Sequence, residues 1–127
     1  MHELSLAINL VEAVEEEAAR HTGTVEAIHL RLGPLAGVVK EALCSGFEMA
    51  REGTALAATR LIVEEVPIAI WCAVCQEEQP AVSQQWFCCA RCGTPASEVR
   101  HGKEIEIFAL EMTDELPITD DLEITDE

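Results

Sequence analysis

Positive charge is what this sequence has least of. Its 127 residues include 8 Lys and Arg against 24 Asp and Glu, a formal net charge of −16. A polyanion of this strength is repelled by phosphate backbones and by anionic membrane surfaces. Nucleic acid and lipid are therefore excluded as natural partners, and basic protein surfaces and cations remain. Basic residues are also missing from the first positions, where a secretory leader would carry them and where Glu3 stands instead. No apolar run approaches the roughly 20 residues of a membrane span. The expectation is a cytoplasmic protein. Missing too is any nucleophile–base pair, phosphate-binding loop or paired-carboxylate cleft, so no enzyme is expected.

What the chain does have is apolar substance, with 49% hydrophobic residues. A chain of this length buries roughly two thirds of its unfolded surface, enough for a core without disulfides. From Leu4 to about Arg20 the residues Leu4, Ala7, Ile8, Val11, Val14 and Ala18 recur at three- and four-residue steps, which predicts an amphipathic helix. "HTGT" (21–24) stops it, with Gly23 as a left-handed cap. "VEAIHLRLG" (25–33) alternates as a half-buried strand, with His29 on its polar face turned to solvent. A second helix is expected over about 38–51, with Val39, Leu43, Phe47 and Ala50 on one stripe and Cys44 packed beside it. "TRLIVEEV" (59–66) and "KEIEIFALEM" (103–112) read as a second and a third strand.

Strand, helix and strand in this order imply a right-handed parallel crossover. The fold class expected is α+β: a small three-stranded sheet with two helices, and a module inserted between the second and third strands. Residues 1–66 and 103–113 form the discontinuous body, 67–102 the module, and 114–127 an acidic, mobile tail.

The module carries the strongest signal, "CAVC" (72–75) and "CARCG" (89–93). Two residues between cysteines let a tight knuckle turn both sulfurs to one ion, and two knuckles supply a tetrahedron of thiolates. Soft sulfur ligands with no open position suit structural Zn²⁺, held by Cys72, Cys75, Cys89 and Cys92. A rubredoxin-like iron site uses the same spacing, and colour would separate the two. In a reducing compartment, six cysteines hold metal more often than they form disulfides. Cys89, not Cys88, has the two-residue spacing, so Cys88 is read as a bystander. Trp71, Trp86 and Phe87 are expected to pack over the metal, and His101 to be a linker residue.

His2 and Glu3 follow directly on Met1. A lone histidine near a terminus is ordinarily a solvated residue, but here the other motifs bear on it. "MHELSLA" at the start, "RLGPLAGV" at the end of the first strand, and paired C-x-x-C knuckles before a strand with "LEM" resemble the HypA/HybF hydrogenase nickel-incorporation family. The resemblance covers residues 1 to about 112. Ala90 stands where the family often has proline, and the acidic tail runs past the family's usual end. The resemblance implies a nickel metallochaperone with a structural zinc site and labile Ni²⁺ as cargo. It implies nickel bound at Met1, His2 and Glu3. It also implies a nickel-handling GTPase and the large subunit of a [NiFe]-hydrogenase as partners, with a link to urease maturation.

The chemistry of these residues agrees. Ni²⁺ favours square-planar nitrogen sites. The Met1 amine, the backbone amides of His2 and Glu3 and the His2 ring can close adjoining chelate rings around one ion. Histidine is bulky, so the initiator methionine should be retained. The competing reading is a zinc-ribbon adaptor without nickel function, which leaves "MHE" unexplained.

Overall fold

The structure, a computed structural model, describes residues 3–113; Met1, His2 and residues 114–127 lie outside the described residues. Helix α1 spans Glu3–Ala18, a stretch rich in Ala, Leu, Val and Glu and free of Gly and Pro. Its buried residues Ala7, Leu10, Val11 and Val14 follow the helical period. The last turn tightens through bonds from Arg20 N–H to Glu17 O and from His21 N–H to Ala18 O. Gly23, with φ +95°, is not the cap of this helix; it sits immediately before β1, Thr24–Leu32.

In β1 the residues Val25, Ala27, Ile28, Leu30 and Leu32 are all buried. Strict alternation would have left Ala27 on the polar face. Two adjacent buried positions, Ala27 and Ile28, mark where the inward face changes. A 3₁₀ turn, Pro34–Ala36, follows, and α2 runs Lys40–Ala50. Leu43 and Phe47 carry its buried stripe; Val39 is the exposed N-cap residue and does not belong to it.

Strand β2 is Arg60–Glu65 and β6 is Ile105–Thr113; the sheet order is β2-β1-β6. The Thr59 hydroxyl donates to Val25 O at 2.8 Å, and Val66 N–H donates to Leu32 O at 2.9 Å. Both pairs are 34 residues apart, so β1 and β2 run in the same direction, as the crossover reading requires. Gly33 N–H donates to Glu104 O while His29 meets Glu111, so β6 runs against β1. Thr59, fully buried, has its hydroxyl satisfied by that bond to Val25.

Between β2 and β6 the chain forms a second three-stranded sheet from β3 (Ala69–Cys72), β4 (Glu77–Pro80) and β5 (Glu98–His101). Its order is β4-β3-β5, with both pairings antiparallel. A register shift between Ala69 and Ile70 sets Ile70 opposite Val99 and Ala69 opposite His101. This is the inserted module, and the architecture is the α+β arrangement expected: two helices, a three-stranded sheet and a cysteine-bearing insertion. By contacts the described residues divide into two compact units, one drawn from residues 3–29, Val39–Ile62 and residues 107–113, the other from Leu30–Val38 and Val63–Glu106. The first has its core around Ala7, Val14, Ile28, Leu43, Phe47 and Leu56. Burying side chains such as Leu43 and Phe47 contributes about 1.5–3 kcal/mol each. Among the described residues no helix is long and apolar enough to cross a membrane.

Candidate metal centres

The first cysteine pair lies where β3 turns into β4, and the second lies on the loop before β5. In the first, Cys75 N–H points at Cys72 Sγ (3.4 Å). In the second, the N–H groups of Arg91 and Cys92 point at Cys89 Sγ (3.4 and 3.5 Å). Backbone donors aimed at a sulfur favour its thiolate form. The two turns bring Cys72 Sγ to 3.5 Å from Cys92 Sγ, and Cys75 Sγ to 3.9 Å from Cys89 Sγ. All four sulfurs lie within 4.8 Å of one another. A tetrahedral ion with metal–sulfur bonds of about 2.3 Å requires sulfur–sulfur edges of about 3.8 Å. The donor set therefore fits Zn²⁺ in number, softness and spacing.

The surroundings divide the four thiols. Cys72 and Cys89 are buried, Cys75 is half-buried and Cys92 is exposed. The Thr94 hydroxyl, 3.1 Å from Cys92 Sγ, and then the Thr94 backbone N–H pull the Cys92 thiol down to about 6. Burial, followed by the neighbouring sulfurs, pushes Cys75 up to about 12. Crowded thiols do not ionise together, and a divalent cation is the group that would let them. The cysteines are also a good part of the module's own core. Ile70, Cys72 and Cys89 form its buried centre, against which Ile68, Ala81, Ala96 and Val99 pack.

The four sulfurs named from the sequence lie together, whereas the flanking aromatics do not fill the centre of the module. Trp86 and Phe87 are exposed, and Trp71, half-buried, is faced by the Arg100 guanidinium at 4.7 Å from its ring centre. Small aliphatic side chains, not aromatic rings, fill the centre of the module. Cys88 stands outside the sulfur cluster, where its backbone bridges to Pro95. Cys44 is half-buried, and burial raises its thiol above the ordinary value. Sequence reading missed Thr94 and Gln76. Gln76 takes φ +60° at the position of the first knuckle that matches Gly93 in the second, so aligning the two motifs would have found it.

Of the N-terminal residues named from sequence, Met1 and His2 lie outside the described residues. Glu3 opens α1, and its carboxylate Oε2 accepts the backbone N–H of Val39 at 3.0 Å. The other histidines meet carboxylates: His21 with Glu17 (3.1 Å), His29 with Glu111 (2.5 Å), and His101 with Glu104 (2.9 Å) and Glu78 (3.7 Å). His29 is accordingly not a free solvent-facing residue; it is half-buried and also lies 5.8 Å from the Phe108 ring. His101 ends β5 and is more than a linker. Among the described residues, the four cysteines are the one group of three or more His, Cys, Asp or Glu able to close on an ion.

Comparison with known proteins places this arrangement. A family described as "Hydrogenase/urease nickel incorporation, metallochaperone, hypA" matches residues 1–112. The chain is 45% identical over 113 residues to the hydrogenase maturation factor HypA of Chloroflexus aurantiacus, covering 87% of this chain and 98% of that one. It is 44% identical over 118 residues to the factor of the same name from Roseiflexus, covering 92% and 96%. The solution structure of the nickel metallochaperone HypA from Helicobacter pylori shares the fold, with a TM-score of 0.62 at 23% identity over 91% of this chain and all of that one. With residues 1–112 matched and the paired knuckles closing on one point, the chain belongs to the HypA family of hydrogenase/urease nickel-incorporation metallochaperones.

Proposed function

We propose that this protein carries Ni²⁺ at its N-terminus and hands it on during maturation of [NiFe]-hydrogenase, with urease as a second class of client. The ligands are the Met1 amine, the amide nitrogens of His2 and Glu3, and the His2 ring. The observation that carries the reading is the position of Glu3 as the first residue of α1. The first amides of a helix have no carbonyl partner within it. Metal binding by the Glu3 amide would therefore break no bond of the helical ladder. Four nitrogens in one plane then meet the preference of Ni²⁺.

In this proposal Cys72, Cys75, Cys89 and Cys92 hold a resident Zn²⁺ that staples the module, residues 67–102. Residues 1–66 and 103–113 form the nickel-bearing part. The protein works by binding and handover in the cytoplasm, not by catalysis, and it meets a nickel-handling GTPase and the hydrogenase large subunit. An adaptor working through the ribbon alone would leave the amino-terminal motif without a use.

The test is nickel titration of untagged protein beside His2→Ala and beside a chain extended ahead of Met1. The extension keeps every side chain but converts the amine into an amide. Both changes should strongly weaken nickel binding at unchanged zinc content. Equal affinity in all three proteins would refute the clamp and direct the search to His21, His29 and His101.

A further inference from the structure

Trp71 stands in the middle of a sheet face that looks away from the sulfurs. Its neighbours in β3, Ile70 and Cys72, are buried in the centre of the module, so alternation turns the half-buried indole to the other side. Directly opposite it are Glu78 on β4 and Glu98 on β5. Opposed residues of antiparallel strands share a face, so a carboxylate flanks the indole on each side. One residue of β5 fits no pairing. Ile70 faces Val99 and Ala69 faces His101, which leaves Arg100 as the extra residue of a bulge. Its guanidinium lies over the indole, 4.7 Å from the ring centre. There it meets the Glu98 carboxylate and approaches that of Glu78 at 4.0 Å.

An aromatic face between two carboxylates is suited to a guanidinium, and Arg100 supplies one from within the chain. Its hold is light. The Arg100 side chain is 37% exposed, and ion pairs at such positions contribute little. Glu78 is also shared with His101 Nε2, 3.7 Å away. Strand β5 is an edge of its sheet, so Arg100 can swing into water. We propose that Trp71, Glu78 and Glu98 form a receptor for an arginine side chain of a partner protein, with Arg100 as the internal occupant that the partner's arginine replaces. A planar head that stacks on the indole and forks to a carboxylate favours arginine over lysine. The net charge of −16 draws basic protein surfaces to this face. A docked partner then presents its arginine at the high effective concentration that displacement of Arg100 needs.

The experiment uses zinc-loaded full-length protein and N-acetyl-arginine amide as probe, read by the backbone and indole N–H resonances of β3, β4 and β5. Arg100→Ala empties the receptor and should bind the probe about tenfold more tightly than wild type, the scale of a cation over an indole. Arg91→Ala removes the same charge from the same module, where Arg91 pairs with Glu77 at 3.1 Å. It should change the affinity by less than about twofold, which separates an emptied site from a more negative surface. The neutral isostere N-acetyl-citrulline amide should not bind, and the lysine derivative should bind more weakly than arginine. In the Arg100→Ala background, Glu98→Gln and Trp71→Leu should each reverse the gain. Zinc content measured alongside shows whether Trp71→Leu keeps its fold; where it does not, Glu98→Gln decides. Equal gains in Arg100→Ala and Arg91→Ala would overturn the proposal, because charge alone would then account for both. Equal binding of the citrulline derivative would do the same. Binding of the free probe by wild type as tightly as by Arg100→Ala would overturn the partner assignment, since the receptor would then fill without docking.

Discussion

Gln76 stands to the first cysteine pair as Gly93 stands to the second. Each follows its knuckle's second cysteine, and each N–H donates at 2.8 Å to the carbonyl of the first, Cys72 or Cys89. Their φ angles are +60° and +81°. Among the described residues Gln76 is the one non-glycine with positive φ. The turn that aims two sulfurs at one point is thus built twice from the same backbone, once with the residue suited to it and once without. A side chain in this region costs on the order of 1–2 kcal/mol. The bond from Gln76 Nε2 to Ala73 O at 2.8 Å offsets part of it.

Gln76→Gly should therefore stabilise the module, by about 0.5–1 kcal/mol after the lost side-chain bond and the greater freedom of the unfolded glycine are allowed for. Slower zinc loss to a chelator would register the gain. Gly93→Val should act in the opposite direction and more strongly, because a branched side chain is poorly tolerated at positive φ. Faster zinc loss in Gln76→Gly would show that the bond to Ala73 outweighs the strain.

The module should depend on its metal more than the rest of the chain does. Its buried centre is Ile70 with Cys72 and Cys89, so two of the three residues are ligands. The core around Leu43, Phe47 and Ile28 contains none. Replacing Cys89 with Ala should lose zinc and raise amide exchange across about 68–102, leaving protection in α1 and α2 near wild type. Loss of protection along the whole chain would show that the module is not a separate cooperative unit.

The elements with strong periodicity were legible in the sequence. Both helices, all three strands of the first sheet and the cysteine tetrad follow from apolar spacing and from the C-x-x-C pairs. The strands of the module did not declare themselves, for a physical reason. Each has four residues, and β4 reads Glu-Glu-Gln-Pro with no apolar alternation. Strand β4 is held by pairing to β3 and by the knuckles, not by a buried face. Trp86 misled for a related reason: a large aromatic near a small metal site reads as core, but the space beside these sulfurs is filled by Ala81 and Ala96. The partnership of Glu3 with Val39 is a contact across 36 residues, and no local pattern announces it.

Cutting the chain after Thr113 should leave its melting temperature nearly unchanged. Residues 114–127 carry seven acids and no base, and the family match ends at residue 112. The tail adds repulsion to a chain already at −16 and offers little apolar surface to offset it. Calorimetry of the truncated and full chains makes the comparison. A large fall on truncation would show that Leu116, Ile118, Leu122 and Ile124 dock on the body.

Acid should find one specific weak point where the module returns to the sheet. The Glu104 carboxylate meets His101 Nδ1 at 2.9 Å and accepts the Gly102 N–H at 2.7 Å. The bond to His101, and next the one from Gly102, hold its carboxyl below the ordinary value of 4.5. Glu78 approaches the same imidazole at 3.7 Å, and Arg31, Glu64, Glu65 and Glu106 line the hollow beside it. A carboxyl depressed on folding adds stability above its unfolded value and loses it as pH falls through the folded one. Glu104→Gln keeps an acceptor for Gly102 but removes the charge. Melting temperatures of the two proteins should therefore differ most at neutral pH and draw together below about pH 4.5. Comparing the variant with its parent cancels the many other carboxylates of this acidic chain. A gap of constant size from pH 7 to pH 3 would mean that Glu104 acts through its hydrogen bonds alone and that its charge contributes nothing.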